Sequence, residues 1–145
     1  MQEVTELSGW AVTLLFCVTV VLPFWYRWRS PDGDAFLARM RTHFSIGFGI
    51  AALSLLHAVL AVSSLAGGSP YLIGLAIATL GLFVAFGQVG LGLQLRRNRG
   101  RYRRWLIAAH VATMVALAGL GAAHLVLDGP FTRCFLQLAA CPTEL

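Results

Sequence analysis

The chain has 145 residues, of which 58% are hydrophobic and 12% are charged, and its formal net charge is +5. Its mean hydropathy is +0.75. A soluble domain of this length lacks the interior volume to bury so much apolar side chain, so the composition excludes an ordinary soluble globular protein and favours a lipid bilayer as solvent. The length predicts one domain over residues 1–145, with no second domain and no soluble catalytic module.

Four apolar stretches are each long enough to cross the bilayer, which takes about 20 helical residues for about 30 Å of hydrocarbon. They cover roughly residues 7–26, 43–66, 71–95 and 105–127. The polar segments between them are short, so neighbouring helices should be antiparallel. We therefore predict an all-α integral membrane protein, a four-helix transmembrane bundle with up-down-up-down topology. Glu3 and Glu6 before the first stretch, with Arg27 and Arg29 after it, favour a retained span over a cleaved signal peptide.

The basic residues are all arginines, and most of them lie in two connecting segments. Arg27, Arg29, Arg39 and Arg41 lie in the first connection, Arg96, Arg97, Arg99, Arg101, Arg103 and Arg104 lie in the third, and Arg133 follows the fourth stretch. The positive-inside rule therefore predicts a multi-pass protein of the cell inner (plasma) membrane, with both Arg-rich segments in the cytoplasm and both termini outside. The run RRNRGRYRR lies directly between two hydrophobic spans, so we expect contact with anionic lipid and not with nucleic acid.

The four histidines form a regular pattern. His43 and His57 lie in the second stretch, His110 and His124 lie in the fourth, and the members of each pair are fourteen residues apart. Fourteen residues are nearly four helical turns, so both members share one helix face and lie about 21 Å apart along the axis. Because the second and fourth helices run in the same direction in an up-down bundle, His43 should face His110, and His57 should face His124.

Facing imidazoles in lipid suggest a bound cofactor, although such histidines also pack helices together through hydrogen bonds. Zinc needs four ligands, whereas each facing pair offers two, and the apolar stretches contain no Asp or Glu. A proton relay normally uses closer spacing and carboxylates. A haem needs one axial ligand on each side of its plane. The pattern therefore predicts two haems b, one held by His43 and His110 and the other by His57 and His124.

Small and basic residues near the histidines are candidate contacts for this cofactor. Gly47 and Gly121 lie about one turn from a histidine, where a small residue lets the helix and the ring approach, although such residues also serve ordinary helix packing. Arg41 is the candidate partner of a haem propionate, through charge-assisted hydrogen bonds.

The two segments that carry the histidines are similar to a known arrangement. RTHFSIGFGIAALSLLH and RRWLIAAHVATMVALAGLGAAH resemble the di-haem core of the cytochrome b and ferric-reductase-like transmembrane families. The resemblance covers the second and fourth predicted helices. It implies haem binding and electron transfer across a membrane, often to or from quinones, metals, oxygen or a flavin domain. The chain has fewer predicted helices than ferric reductases usually have, and no flavin or nicotinamide domain is expected, so the electron donor and acceptor stay open.

We therefore expect a membrane b-type cytochrome that transfers electrons across the bilayer, with quinone and a redox partner protein as candidate partners. Gln88, Asp128 and Glu6 are the polar candidates for a quinone site, although each also fits packing, helix termination or an ordinary surface position. Two alternatives stay open. One is a haem-bearing membrane anchor subunit that docks a soluble redox partner, and the other is a metal-ion permease with histidine stations.

The three cysteines indicate no redox chemistry of their own. Cys17 lies within the first stretch, where a buried free thiol that acts as a small hydrophobe is the default. Cys134 and Cys141 follow the fourth stretch on the expected outer side, where a disulfide between them is one of two open outcomes. A thiol oxidoreductase would want a closely spaced pair such as C-x-x-C, which the sequence lacks.

Overall fold

The fold was obtained as a computed structural model, and it describes residues 2–29, 33–64, 72–98 and 100–128. Four α-helices account for nearly all of these residues. In chain order they are α1 (Gln2–Arg29), α2 (Gly33–Ser64), α3 (Leu72–Arg97) and α4 (Arg103–Asp128). Each helix contains a span that is long and apolar enough to cross a membrane. The predicted all-α four-helix transmembrane bundle is therefore confirmed.

The helices extend beyond the apolar stretches that predicted them. The first connection, predicted over residues 27–41, is much shorter, because α1 continues to Arg29 and α2 already begins at Gly33. The apolar pattern marks only the part of a helix that crosses the hydrocarbon. The backbone remains helical through polar and basic positions as well, since Ala38, Arg39 and Met40 are all good helix formers.

The bundle is built from two helical hairpins. Helix α1 packs closely along α2, and α3 packs closely along α4, whereas the hairpins meet each other less extensively, mainly between α2 and α3. Within the described ranges the buried apolar side chains are small or medium in size, namely Ile50, Ala51 and Ala85. Most large apolar side chains face outward, as expected where lipid is the solvent. Few of the described side chains are therefore fully buried between the helices.

The connection between α3 and α4 is short and held by backbone carbonyls at the end of α3. The Asn98 backbone N–H donates to the Gln94 carbonyl at 2.8 Å and continues the helical pattern by one bond. The Arg103 guanidinium, through Nη1, donates to the carbonyls of Leu95 at 3.1 Å and Asn98 at 3.4 Å. Since the last carbonyls of a helix have no partner within it, Arg103 satisfies two of them and fixes the start of α4 against the end of α3.

Replacing Arg103 with Ala should lower the free energy of unfolding by about 1 kcal/mol, because two carbonyls at the negative end of α3 lose a cationic donor. Thermal unfolding followed by circular dichroism in detergent micelles measures the change. Arg104→Ala is the matched control, since it removes the same charge from an exposed neighbouring position. Equal destabilisation by the two variants would contradict a specific role for Arg103.

Candidate functional site

The four histidines form two ring pairs at two levels of the bundle. The first pair is His43 with His110, whose ring centres are 6.3 Å apart with an angle of 69° between the planes. The second pair is His57 with His124, at 6.4 Å and 77°. Each pair takes one ring from α2 and one from α4. The equal spacing of fourteen residues on two helices that run in the same direction produces this juxtaposition, and it puts the first pair nearer the Arg-rich end.

Helix α1 supplies hydrogen-bond partners for both histidines of α2. His43 Nδ1 lies 3.1 Å from the backbone oxygen of Thr19. His57 Nδ1 lies 3.0 Å from the backbone oxygen of Thr5 and 2.9 Å from Ser8 Oγ. A carbonyl oxygen only accepts, so each Nδ1 must carry the proton and donate it. In a neutral ring the other nitrogen, Nε2, then has a free lone pair. His43 and His57 would therefore bind a metal through Nε2.

The histidine of α4 in the first pair has polar neighbours on α3. The Gln88 side-chain nitrogen lies 3.4 Å from His110 Nε2, and Thr113 Oγ1 donates to Gln88 Oε1. Within the part of the chain that the structure describes, His110 Nδ1 is buried without a hydrogen-bond partner, and so is Thr19 Oγ1. Buried polar atoms of this kind normally have a partner, so the first pair has hydrogen-bonding capacity still to satisfy.

A cavity of about 80 Å³ surrounds the first pair. Residues of all four helices line it. The small or flexible ones include Thr19, Gly47, Ala51, Ala85, Gly92 and Met114, and the large ones include Phe16, Phe44 and Phe48. Its wall is mainly apolar, and its polar groups converge on the two imidazoles. This combination of an apolar wall with a few convergent polar groups is typical of a cofactor site between the helices of a bundle.

The glycines close to the imidazoles differ from those that the sequence suggested. Gly47 lines the cavity, whereas Gly121 is exposed, and an added Cβ at either position would meet nothing within 4 Å. A Cβ at Gly9 would lie 3.1 Å from His57 Cε1, and one at Gly92 would lie 3.6 Å from His110 Cε1. Close approach of backbone to ring thus occurs on α1 and α3, the two helices that carry no histidine.

The other candidate residues are spread over the chain. Arg41 is exposed on α2, two residues before His43, and Glu6 is exposed on α1. Gln88 contacts His110 directly, so it is a neighbour of the first histidine pair. Cys17 is an exposed free thiol, so its predicted burial is wrong, because that face of α1 is turned away from the bundle. The side chain of Asp128 and residues Arg133, Cys134 and Cys141 lie outside the described residues.

Each pair offers two imidazole nitrogens, so it could hold a metal that needs only two ligands from the protein. Over residues 2–29, 33–64, 72–98 and 100–128, no three His, Cys, Asp or Glu side chains come together as a metal site. Two imidazoles alone do not complete the tetrahedral set of zinc. A metal held by one nitrogen of each ring, at about 2.0 Å, would keep the ring centres roughly 6 Å apart. The separations of 6.3 and 6.4 Å match that requirement at both levels.

Comparisons of this chain with protein-family models, with curated proteins and with solved structures give no match.

Gly9→Ala provides a test of how firmly His57 is held. Replacing an open helical glycine with alanine normally stabilises a helix by about 0.5–1 kcal/mol. At Gly9 the new methyl group would press on a ring held by two hydrogen bonds, so this variant should be less stable than Gly119→Ala by about 1–2 kcal/mol. Gly119 is the control because an added Cβ there meets nothing within 4 Å. Thermal unfolding in detergent compares them, and equal stability would contradict a rigidly placed His57.

Proposed function

We propose that this protein is a membrane b-type cytochrome that binds two haems by bis-histidine ligation and transfers electrons across the bilayer. The observation that carries the proposal is the presence of two imidazole pairs, each bridging α2 and α4, with nearly identical ring separations. The matched spacing of fourteen residues on α2 and α4 gives the same separation at both levels. A bound haem would supply a one-electron carrier at each level, and the residues around it supply position and environment.

The hydrogen bonds of α2 support the proposal. Metal-ligating histidines usually donate their second ring nitrogen to a carbonyl or carboxylate, which fixes the tautomer and makes the ligand nitrogen more basic. His43 and His57 have such partners in the Thr19 and Thr5 carbonyls. Both rings are thus oriented and held in the protonation state that ligation requires.

The gap between the two hairpins also supports the proposal of haem binding. A cavity of about 80 Å³ holds only part of a porphyrin ring, so the rest of the ring would extend between the two hairpins, where packing is looser. The lining of the cavity includes the small Gly47, Ala51, Ala85 and Gly92 beside the larger Phe16, Phe44 and Phe48. The small residues would leave the macrocycle room beside the imidazoles. An apolar porphyrin would then supply the interior packing that the side chains do not.

The levels of the two pairs suit electron transfer over the thickness of a membrane. Residues fourteen apart on one helix lie about 21 Å apart along its axis, which is most of the roughly 30 Å hydrocarbon core. One pair therefore lies towards each face of the bilayer. Electrons would enter at one level and leave at the other, with quinone and a soluble redox protein as candidate partners.

The charge and aromatic residues support an orientation with the Arg-rich end in the cytoplasm of a plasma-membrane protein. The ends of α1 and α3 and the starts of α2 and α4 share this end of the bundle. Trp25, Trp28, Tyr102 and Trp105 are exposed there. Arg29 lies over the Trp25 ring at 4.7 Å. Aromatic rings and arginines at one level are typical of a membrane–water interface, and both termini would then lie outside.

The assignment of ligands is tested by single replacements with alanine at each histidine. His43→Ala and His110→Ala should each reduce haem from two per chain to one and remove the same spectral component, because both rings belong to one site. His57→Ala and His124→Ala should remove the other component. The pyridine haemochrome assay gives the haem count, and reduced-minus-oxidised spectra identify the component.

Thr79→Ala is a suitable control, because it removes an exposed hydroxyl that bonds only within α3, and it should retain both haems. Loss of haems in another grouping would contradict the ligand sets. A colourless protein with stoichiometric zinc, copper or iron outside haem would favour the permease. Two bound haems without quinol oxidation by the isolated protein would favour an anchor subunit that needs a soluble partner.

The orientation is tested with single cysteines in a cysteine-free background. Glu3→Cys should react with a membrane-impermeant maleimide in intact spheroplasts, because the start of α1 would be outside. Asn98→Cys, in the connection between α3 and α4, should react only after permeabilisation. The reverse pattern of labelling would overturn the proposed topology and leave the ligand assignment untouched.

A further inference from the structure

Helix α1 contains a proline in its interior, and the position of this proline relates it to His43. Pro23 lies within the continuous helix Gln2–Arg29. In an α-helix the carbonyl of each residue accepts from the N–H four positions later, and the carbonyl four positions before Pro23 belongs to Thr19. Proline has no N–H, and its ring crowds that carbonyl. The Thr19 carbonyl is therefore without its ordinary helical donor.

The donor that takes its place comes from α2. His43 Nδ1 lies 3.1 Å from this carbonyl oxygen, within the usual range for an N–H···O hydrogen bond. Because the released carbonyl lies in the apolar span of α1, leaving it unpaired would be costly. The same is true of the ring N–H of His43. Each group thus satisfies the other, and His43 is held to the tautomer with the proton on Nδ1.

The second pair is built differently. His57 donates to the Thr5 carbonyl, whose ordinary helical donor is the N–H of Gly9, so no backbone donor is missing there. Instead, the Ser8 hydroxyl lies beside this hydrogen bond. Its Oγ is 2.9 Å from His57 Nδ1 and donates to the Thr5 carbonyl at 2.8 Å. Thr5 and Thr19 are themselves fourteen residues apart on α1, the same spacing as the histidines they face. A proline is therefore the distinguishing feature of the first pair.

We infer that Pro23 is a positioning residue for His43. By removing one backbone donor it reserves the Thr19 carbonyl for His43 Nδ1, fixes the ring's tautomer and directs the Nε2 lone pair to the ligand side. Any residue other than proline at position 23 would restore a backbone N–H, which would compete with His43 for the Thr19 carbonyl oxygen. The tautomer part of this inference is independent of haem, whereas its effect on a bound iron rests on the proposed function.

The tautomer is tested by nitrogen NMR of the full-length protein, labelled with ¹⁵N-histidine, expressed under haem limitation and purified in detergent. In the wild type, His43 should have a protonated Nδ1 and an unprotonated Nε2. In Pro23→Ala the two tautomers of His43 should both be populated, because the backbone N–H restored at position 23 draws the Thr19 carbonyl back into the helix. His57 should keep its wild-type pattern, since its partners on α1 are two turns or more away from the change.

Two variants separate the missing donor from a general disturbance of α1. Leu22→Ala changes an adjacent side chain and keeps Pro23, so His43 should be as in the wild type. Leu22→Pro with Pro23→Ala keeps one proline in the helix but releases the Val18 carbonyl, so His43 should again populate both tautomers. Unchanged His43 in Pro23→Ala, or a wild-type His43 protonated on Nε2, would overturn the inference. It would also be overturned by equal changes in His43 and His57.

Redox titration of the haem-loaded protein gives the second readout. A carbonyl that accepts from the ligand's Nδ1–H makes the ligand more basic and favours the oxidised iron. In Pro23→Ala the midpoint potential of the haem at His43 and His110 should therefore shift in the positive direction, and that of the other haem should stay constant. An unchanged potential at both haems would contradict the inference. Failure to bind any haem would contradict the proposed function alone, because the NMR result stands without it.

Discussion

An imidazole in an apolar bundle is stabilised by each partner that its ring nitrogens find, because an unpaired buried polar atom is costly. Most features of this bundle can be related to that cost. Four imidazoles meet in two pairs between α2 and α4, and the neighbouring helices contribute hydrogen bonds to three of them. Helix α1 offers carbonyls to His43 and His57, and α3 offers the Gln88 amide to His110. The helices without histidines thus contact the rings of His43, His57 and His110.

This division of roles explains why the bundle functions without a dense core of large side chains. In a soluble four-helix bundle the packing of large apolar residues holds the helices together. Here many large apolar side chains face outward, and both small residues and the large Phe16, Phe44 and Phe48 line the cavity between the helices. Specificity of assembly then comes from a few polar contacts at fixed levels, since apolar contact in lipid gives little preference for one neighbour over another.

The sequence predicted the number of helices, their order and the partner of each histidine ring. These follow from hydrophobic length and from a spacing that has only one periodic interpretation. The helix ends were less well predicted, since α2 begins at Gly33, well before its apolar stretch. The sequence did not predict the Thr5 and Thr19 carbonyls as partners of the histidines. Every residue type has a backbone carbonyl, so the residues at positions 5 and 19 carry no signal for this contact. The readable signal was Pro23, four residues after Thr19. Gln88 was noticed as polar, but only the packing of α3 on α4 relates it to His110.

The separation of the bundle into two hairpins has a consequence for its assembly. Membrane helices insert first and associate afterwards. Each hairpin contributes one imidazole at each level, so neither half contains a complete pair. The half formed by α1 and α2 can already orient its own histidines through Thr5 and Thr19, before the other half arrives. A ligand that joins the rings would therefore also join the halves, and cofactor supply would become the final step of maturation of the protein.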